Sequence, residues 1–132
     1  MATASIDDSA VYIRAVRRGI SGEVIRTAMA RLGNTPQARE LFVVLLETTS
    51  SNLPSYYKRA ALSRSHSEAV LDTLSLILYA ETVFDETKIA REWLTTPIPA
   101  LAGEIPLTLC DTFKDRQLVR DVLGKIEYGE FS

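Results

Sequence analysis

SHSEAVLDTLSLILYAETVF, residues 65–84, decides the fold. Val70, Leu71, Leu74, Ile77, Leu78 and Val83 recur at helical spacing, and Leu76, Tyr79 and Ala80 widen that face beyond what burial on one side requires. Ser65 and Glu68 stand at capping-box spacing, in which a serine hydroxyl and a glutamate each satisfy an orphan backbone N–H. The stretch predicts a long helix from Ser65 to about Phe84. Two arrangements bury so wide a face: a central helix wrapped by its own chain, or a helix paired with a second copy. The second assigns Leu71, Leu74 and Leu78 to a homodimer contact.

Toward the N-terminus, Val11 to Ile20 is basic and weakly periodic. Ser21 reads as the N-cap of a helix carrying Val24, Ile25, Ala28, Met29 and Leu32, with Gly33 at the left-handed C-terminal position. Thr35-Pro36 reads as an N-cap followed by proline at the first helical position, opening a helix with Leu41, Phe42, Leu45 and Leu46 on its buried stripe. Thr48 to Asn52 is polar, and a short third helix is expected from about Leu53. The last two helices have the outline of a helix-turn-helix. In that outline Asn52, Ser55, Tyr56 and Tyr57 face bases while Lys58 and Arg59 take phosphates of an operator. The glycine common in such turns is missing between Glu47 and Ser51, and Pro54 stiffens the reading helix.

Toward the C-terminus, Asp85 is expected to cap a short helix with Ile89, Ala90, Trp93 and Leu94 on one face. Pro97, Pro99, Gly103 and Pro106 then interrupt an apolar run, which cannot continue a helix and must be a shaped loop. Thr112 with Asp115 predicts another cap, followed by Leu118, Val119, Val122, Leu123 and Ile126 at helical spacing until Gly129. No stretch alternates apolar and polar residues over strand length, so the fold class is all-α.

Composition narrows the function. The net charge of -2 at 132 residues divides unevenly: residues 1–60 hold eight Lys/Arg against five Asp/Glu, and residues 61–132 hold seven against twelve. The basic half suits phosphate; the acidic half does not. No apolar run approaches membrane-spanning length, and the acidic start MATASIDD lacks the pattern of a secretory signal. Cys110 and His66 are single residues of their type, so neither an intrachain disulfide nor a zinc site is expected, and a reducing cytoplasm fits. There is no G-x-S-x-G, no phosphate-cradling glycine loop and no H-E-x-x-H, so no enzymatic activity, metal or cofactor is expected. Cys110 reads as a small buried apolar residue rather than a reactive thiol.

Ala90, Trp93-Leu94, Pro97, Ala100-Leu101, Gly103, Pro106-Leu107, Asp111-Thr112, Ile126-Glu127 and Gly129 together resemble the C-terminal toxin-binding domain of Xre/MbcA/ParS-type antitoxins. Ala102 departs from the pattern where a first glycine is common, and Asp115 where a glycine often precedes the Arg116 position. The resemblance implies an Xre-like helix-turn-helix domain over residues 1–62, a dimerisation helix over 63–84 and a toxin-binding domain over 85–132. It implies an antitoxin that blocks the active site of a RES-domain toxin, one that consumes NAD or transfers ADP-ribose, and that represses its own operon. The expected toxin contacts are Pro97, Pro99, Leu101, Glu104, Lys125, Glu127, Tyr128, Gly129, Glu130 and Phe131, with Trp93 and Gly103 in structural roles. The prolines restrict the loop before any partner arrives, and exposed aromatics beside a helix-ending glycine suit interface anchors. The competing reading is a stand-alone helix-turn-helix regulator whose C-terminal domain binds a small effector.

Overall fold

The computed structural model of the chain describes residues 8–129. It is helical throughout, in the order α1 (Ser9–Arg18), α2 (Glu23–Arg31), α3 (Pro36–Leu45), α4 (Leu53–Tyr57), α5 (Arg64–Phe84), α6 (Thr87–Leu94), short 3-10 turns at Pro99–Leu101 and Pro106–Asp111, and α7 (Phe113–Glu127). No helix among the described residues is long and apolar enough to cross a membrane.

The caps explain most boundaries. Asp8 accepts from the amides of Ala10 and Val11 to open α1, and Thr35 accepts from the Ala38 amide ahead of Pro36 to open α3, the latter as its sequence predicts. The cap of helix α5 stands two residues earlier than the capping-box reading: Ser63, not Ser65, accepts from the His66 amide at 3.1 Å. Asp85 does not cap α6; it adopts a left-handed conformation, φ +60°, that ends α5, and Glu86 takes the N-cap position. Ser21 hydroxyl accepts from Glu23 N, although the residue at the cap of α2 is Gly22.

Helix α5 is the axis of the molecule. Helices α1, α2, α3, α6 and α7 all pack on it, and one hydrophobic cluster runs from Val16 to Leu123. The wide apolar face is therefore covered by the chain's own helices. Leu71 is 0% exposed and Leu74 4%, and only Leu78 of the three expected dimer contacts is half-buried. Leu71 and Leu74 are covered by this chain's own helices, as the central-helix reading expects. The sequence pattern was right about burial and ambiguous about what does the burying.

A buried ionic junction ties α5 to α7. Arg116 Nε donates to Asp72 Oδ2 at 2.6 Å and its Nη1 to the Cys110 carbonyl at 2.8 Å, while Arg120 Nη2 donates to Asp72 Oδ1 at 2.7 Å and to Ser75 Oγ at 2.8 Å. Both carboxylate oxygens and much of both guanidinium groups are thus satisfied, the condition under which a buried ion pair is tolerated. A second link joins α2 to the C-terminal half: Arg91 donates from Nε and Nη2 to the Arg31 carbonyl, closing the end of α2.

Candidate functional site

The C-terminal loop is held by its own backbone. Ile98 and Glu104 form an isolated antiparallel bridge, with Ile98 N donating to Glu104 O at 3.1 Å and Gly103 N to Ile98 O at 3.0 Å. Closing so short a loop needs two consecutive left-handed residues, Ala102 at φ +57° and Gly103 at φ +79°. Glycine adopts that conformation freely and alanine does not, so Ala102 carries strain at the position where the sequence departs from the family pattern. No atom lies within 4 Å of a Cβ built on Gly103, so its role is conformational rather than steric.

Leu101, Leu107 and Cys110 point inward and pin the loop to the core. The Cys110 thiol is pushed up to about 12 by burial, against the lowering influence of Arg116, and its sulfur faces the Pro106 carbonyl at 3.3 Å. It is the inert apolar cysteine its surroundings predict. Trp93 sits less deeply than a core residue: it is half-buried and tilts against Phe84, ring centroids 5.7 Å apart, while its neighbours Ala90 and Leu94 are the buried members of α6. Thr112 Oγ1 accepts from the Asp115 amide at 3.2 Å, so α7 begins at the cap expected despite the substitution at Asp115.

Between this loop and α7 lies a groove of about 420 Å³, with Leu101, Leu109, Leu118 and Val122 as its apolar lining and Glu104, Asp121 and Lys125 among its charged residues. Three expected contacts, Leu101, Glu104 and Lys125, meet here, and Pro97 and Pro99 are exposed on the segment that leads in. Leu109, Leu118 and Asp121 were missed. Leu118 fits the helical stripe of α7 in sequence, yet it is 46% exposed, because the stripe is wider than the core it covers. Tyr128 follows at the end of α7, 73% exposed, and Gly129 turns the chain with φ +66°. Glu127 is held in place: the Tyr79 hydroxyl donates to its Oε1 at 3.0 Å. Desolvation, then that hydrogen bond and the carboxylate's charge, push the Tyr79 phenol up to about 12. Glu130 and Phe131 lie outside the described residues.

The expected DNA-reading residues are arranged differently from their sequence outline. Helix α4 has five residues, little more than one turn, and ends at Tyr57, so Lys58 and Arg59 stand beyond it. It packs on α2. Tyr57 is half-buried with its hydroxyl on the Met29 sulfur at 3.4 Å, and Tyr56 is half-buried beneath the Arg59 guanidinium, 4.0 Å from the ring centroid. Asn52 and Ser55 are exposed, and the Ser55 hydroxyl donates to the Asn52 carbonyl at 2.6 Å. Both tyrosines are engaged with their own chain, so their rings are not presented as free base readers.

Comparison with known proteins accords with the C-terminal geometry. Residues 80–129 match the family described as the antitoxin Xre/MbcA/ParS C-terminal toxin-binding domain, a span that takes in the end of α5, α6, the loop and α7. A relative from Sphingobium sp. (strain YBL2), named "Prs ADP-ribosylating antitoxin", is 28% identical over 133 residues, covering 91% of this chain and 80% of its own length. Over residues 80–129 the chain is thus similar to the Xre/MbcA/ParS antitoxin C-terminal toxin-binding domain, and over most of its length to an antitoxin.

Proposed function

We propose that this chain neutralises a RES-domain toxin, an enzyme that consumes NAD or transfers ADP-ribose, by laying its loop, groove and C-terminal tail over the toxin's active-site entrance. The observation that carries the reading is the coincidence of the family match with an apolar groove lined by the exposed Leu118, on a helix that ends at the exposed Tyr128. Exposed apolar residues rimmed by charge are the usual mark of a protein interface, and aromatic anchors carry much of its energy. Steric exclusion of substrate asks no chemistry of this chain. Pro97, Pro99, Leu101, Glu104, Lys125, Glu127, Tyr128 and Gly129 form the contact surface in this reading, together with Glu130 and Phe131 of the tail; Glu127 and Glu130 offer carboxylates to a basic nucleotide pocket.

The same reading has the protein act in the cytoplasm and repress its own operon as a homodimer on a two-fold operator. The dimer contact then lies away from Leu71 and Leu74, which the core has already covered.

Co-expression with the toxin encoded beside it tests the neutralisation. Deletion of residues 128–132 is expected to leave the melting temperature within a few degrees of the parent while growth arrest returns. Normal growth with the truncated chain, at equal expression, would sink the assignment of the tail to the toxin contact.

A further inference from the structure

The second 3-10 turn, Pro106–Asp111, stands between two grooves. With three residues per turn, Thr108 and Asp111 fall on one side of it and Leu109 on another. Leu109 lines the groove beside α7, whereas Leu107, Thr108 and Asp111 line a second groove, of about 340 Å³, between this turn and α3. Leu41 and Leu107 are its buried floor. Gln37, Glu40 and Val44, exposed at helical spacing on α3, form the facing wall. The turn lies within residues 80–129, the span similar to the toxin-binding domain, and α3 lies outside that span.

Core packing does not account for this groove. Val44 is 45% exposed in company with Leu41 and Leu107, so it extends an apolar surface and is not a lone surface hydrophobe. Asp111 alone would be explained as an acid at the N-terminus of α7, where the helix dipole favours it. Glu40 has no such account, since it stands beyond the first turn of α3. Neither carboxylate forms an ion pair within 4 Å among the described residues, and no lysine or arginine is among the residues that line the groove. Apolar walls that carry two uncompensated carboxylates suit a partner presenting an apolar side chain beside a cation.

We infer that the toxin contact crosses the 3-10 turn into this second groove, where α3 helps to seat an apolar side chain of the toxin flanked by arginine or lysine. The inference rests on the toxin reading above and extends it to the N-terminal half of the chain. Two arguments select the toxin as occupant. One wall of the groove lies within the span similar to the toxin-binding domain, and a single 3-10 turn divides it from the groove already assigned. A stable interface also takes about 800 Å² and roughly 20–30 residues on each partner, more than the contacts assigned above, so a toxin seated on the first groove reaches the second.

The test is calorimetric titration of the purified toxin with the full chain and its variants. Val44→Arg is expected to weaken binding at least tenfold, and so is Glu40→Lys/Asp111→Lys, whose affinity should also depend less on salt than the parent's. Glu68→Lys, at an exposed acid of α5 that lines neither groove, should keep parental affinity. Circular dichroism confirms the fold of each variant, and Val44→Asn and Asp111→Asn, each weakening binding about threefold, serve if the charged variants unfold. Parental affinity in the folded groove variants, with Leu118→Arg still disruptive, would overturn the inference and leave the toxin reading standing. Absence of binding by the parent chain would sink both. Sedimentation of the chain alone covers the other occupant: a dimer that Val44→Arg dissociates, at parental toxin affinity, would assign the groove to a second copy and overturn the inference.

Discussion

At the scale of single residues, the strained and the crowded positions are the most testable. Ala102 holds a left-handed conformation that costs an L-residue about 1 kcal/mol or more, partly offset by the lower entropy of alanine in the unfolded chain. Ala102→Gly should therefore be neutral to stabilising by up to about 1 kcal/mol in a denaturant melt, whereas Gly103→Ala should destabilise by a similar amount. Gly22 is a different case: its φ is ordinary, but the Tyr56 carbonyl occupies the space of a side chain. Gly22→Ala should destabilise by about 3 kcal/mol, because backbone rather than a flexible side chain must move. That requirement was invisible in sequence, since the clash is with a residue 34 positions away along the chain. Ala102, by contrast, was legible as a departure from a glycine position. Titration gives a further check. Cys110 and Tyr79 both have folded-state values raised to about 12, so the folded chain keeps protons that the unfolded chain releases above about pH 9 to 10. Their contribution to stability is complete below that window and is lost as pH rises through it toward 12. Urea melts across pH 8 to 11.5 should show stability falling at the alkaline end. In the native protein at pH 8, Cys110 should resist a disulfide exchange reagent that modifies it in denaturant.

At the scale of elements, periodicity marked α2, α3, α5 and α7 because each has a clear buried stripe, and caps such as Thr35 and Thr112 fixed their starts. Boundaries failed where a local alternative existed: Ser63 and Ser65 both suit a cap, and the chain uses Ser63. The connection between α5 and α7 was not legible. Asp72 lies more than forty positions from both Arg116 and Arg120, and each reads in sequence as an ordinary solvated charge. In the folded chain Arg116 is 4% exposed. Asp72→Ala would leave that guanidinium buried without its counter-charge and should cost about 3–5 kcal/mol, measured by chemical denaturation. Asp121→Ala, on the exposed side of the same helix, should change stability by less than about 0.5 kcal/mol. The groove beside α7 follows from the same logic. A stripe containing Leu118, Val119, Val122, Leu123 and Ile126 is too broad to be buried from one side, so Val119 and Leu123 enter the core while Leu118 remains available.

At the scale of the whole molecule, the chain divides its surfaces by charge and polarity around a single axial helix. The seam of α1 with residues 58–64 concentrates exposed cations, and the far end of α7 offers an apolar groove, an exposed tyrosine and carboxylates. The unequal charge of the two halves foreshadowed this separation, although only the folded chain shows which cations converge. The overall fold class was legible because helical stripes dominate the sequence. The fate of the α5 face was not, because an apolar face does not say whether its cover comes from the same chain or from another. The direct test of the account is calorimetric titration of the purified toxin with this chain and two variants. Saturable binding is predicted, weakened at least tenfold by Leu118→Arg and unchanged by Arg17→Ala/Arg18→Ala/Arg64→Ala. Parental affinity for Leu118→Arg, with binding lost in the seam variant, would contradict the placement of the toxin on the C-terminal groove.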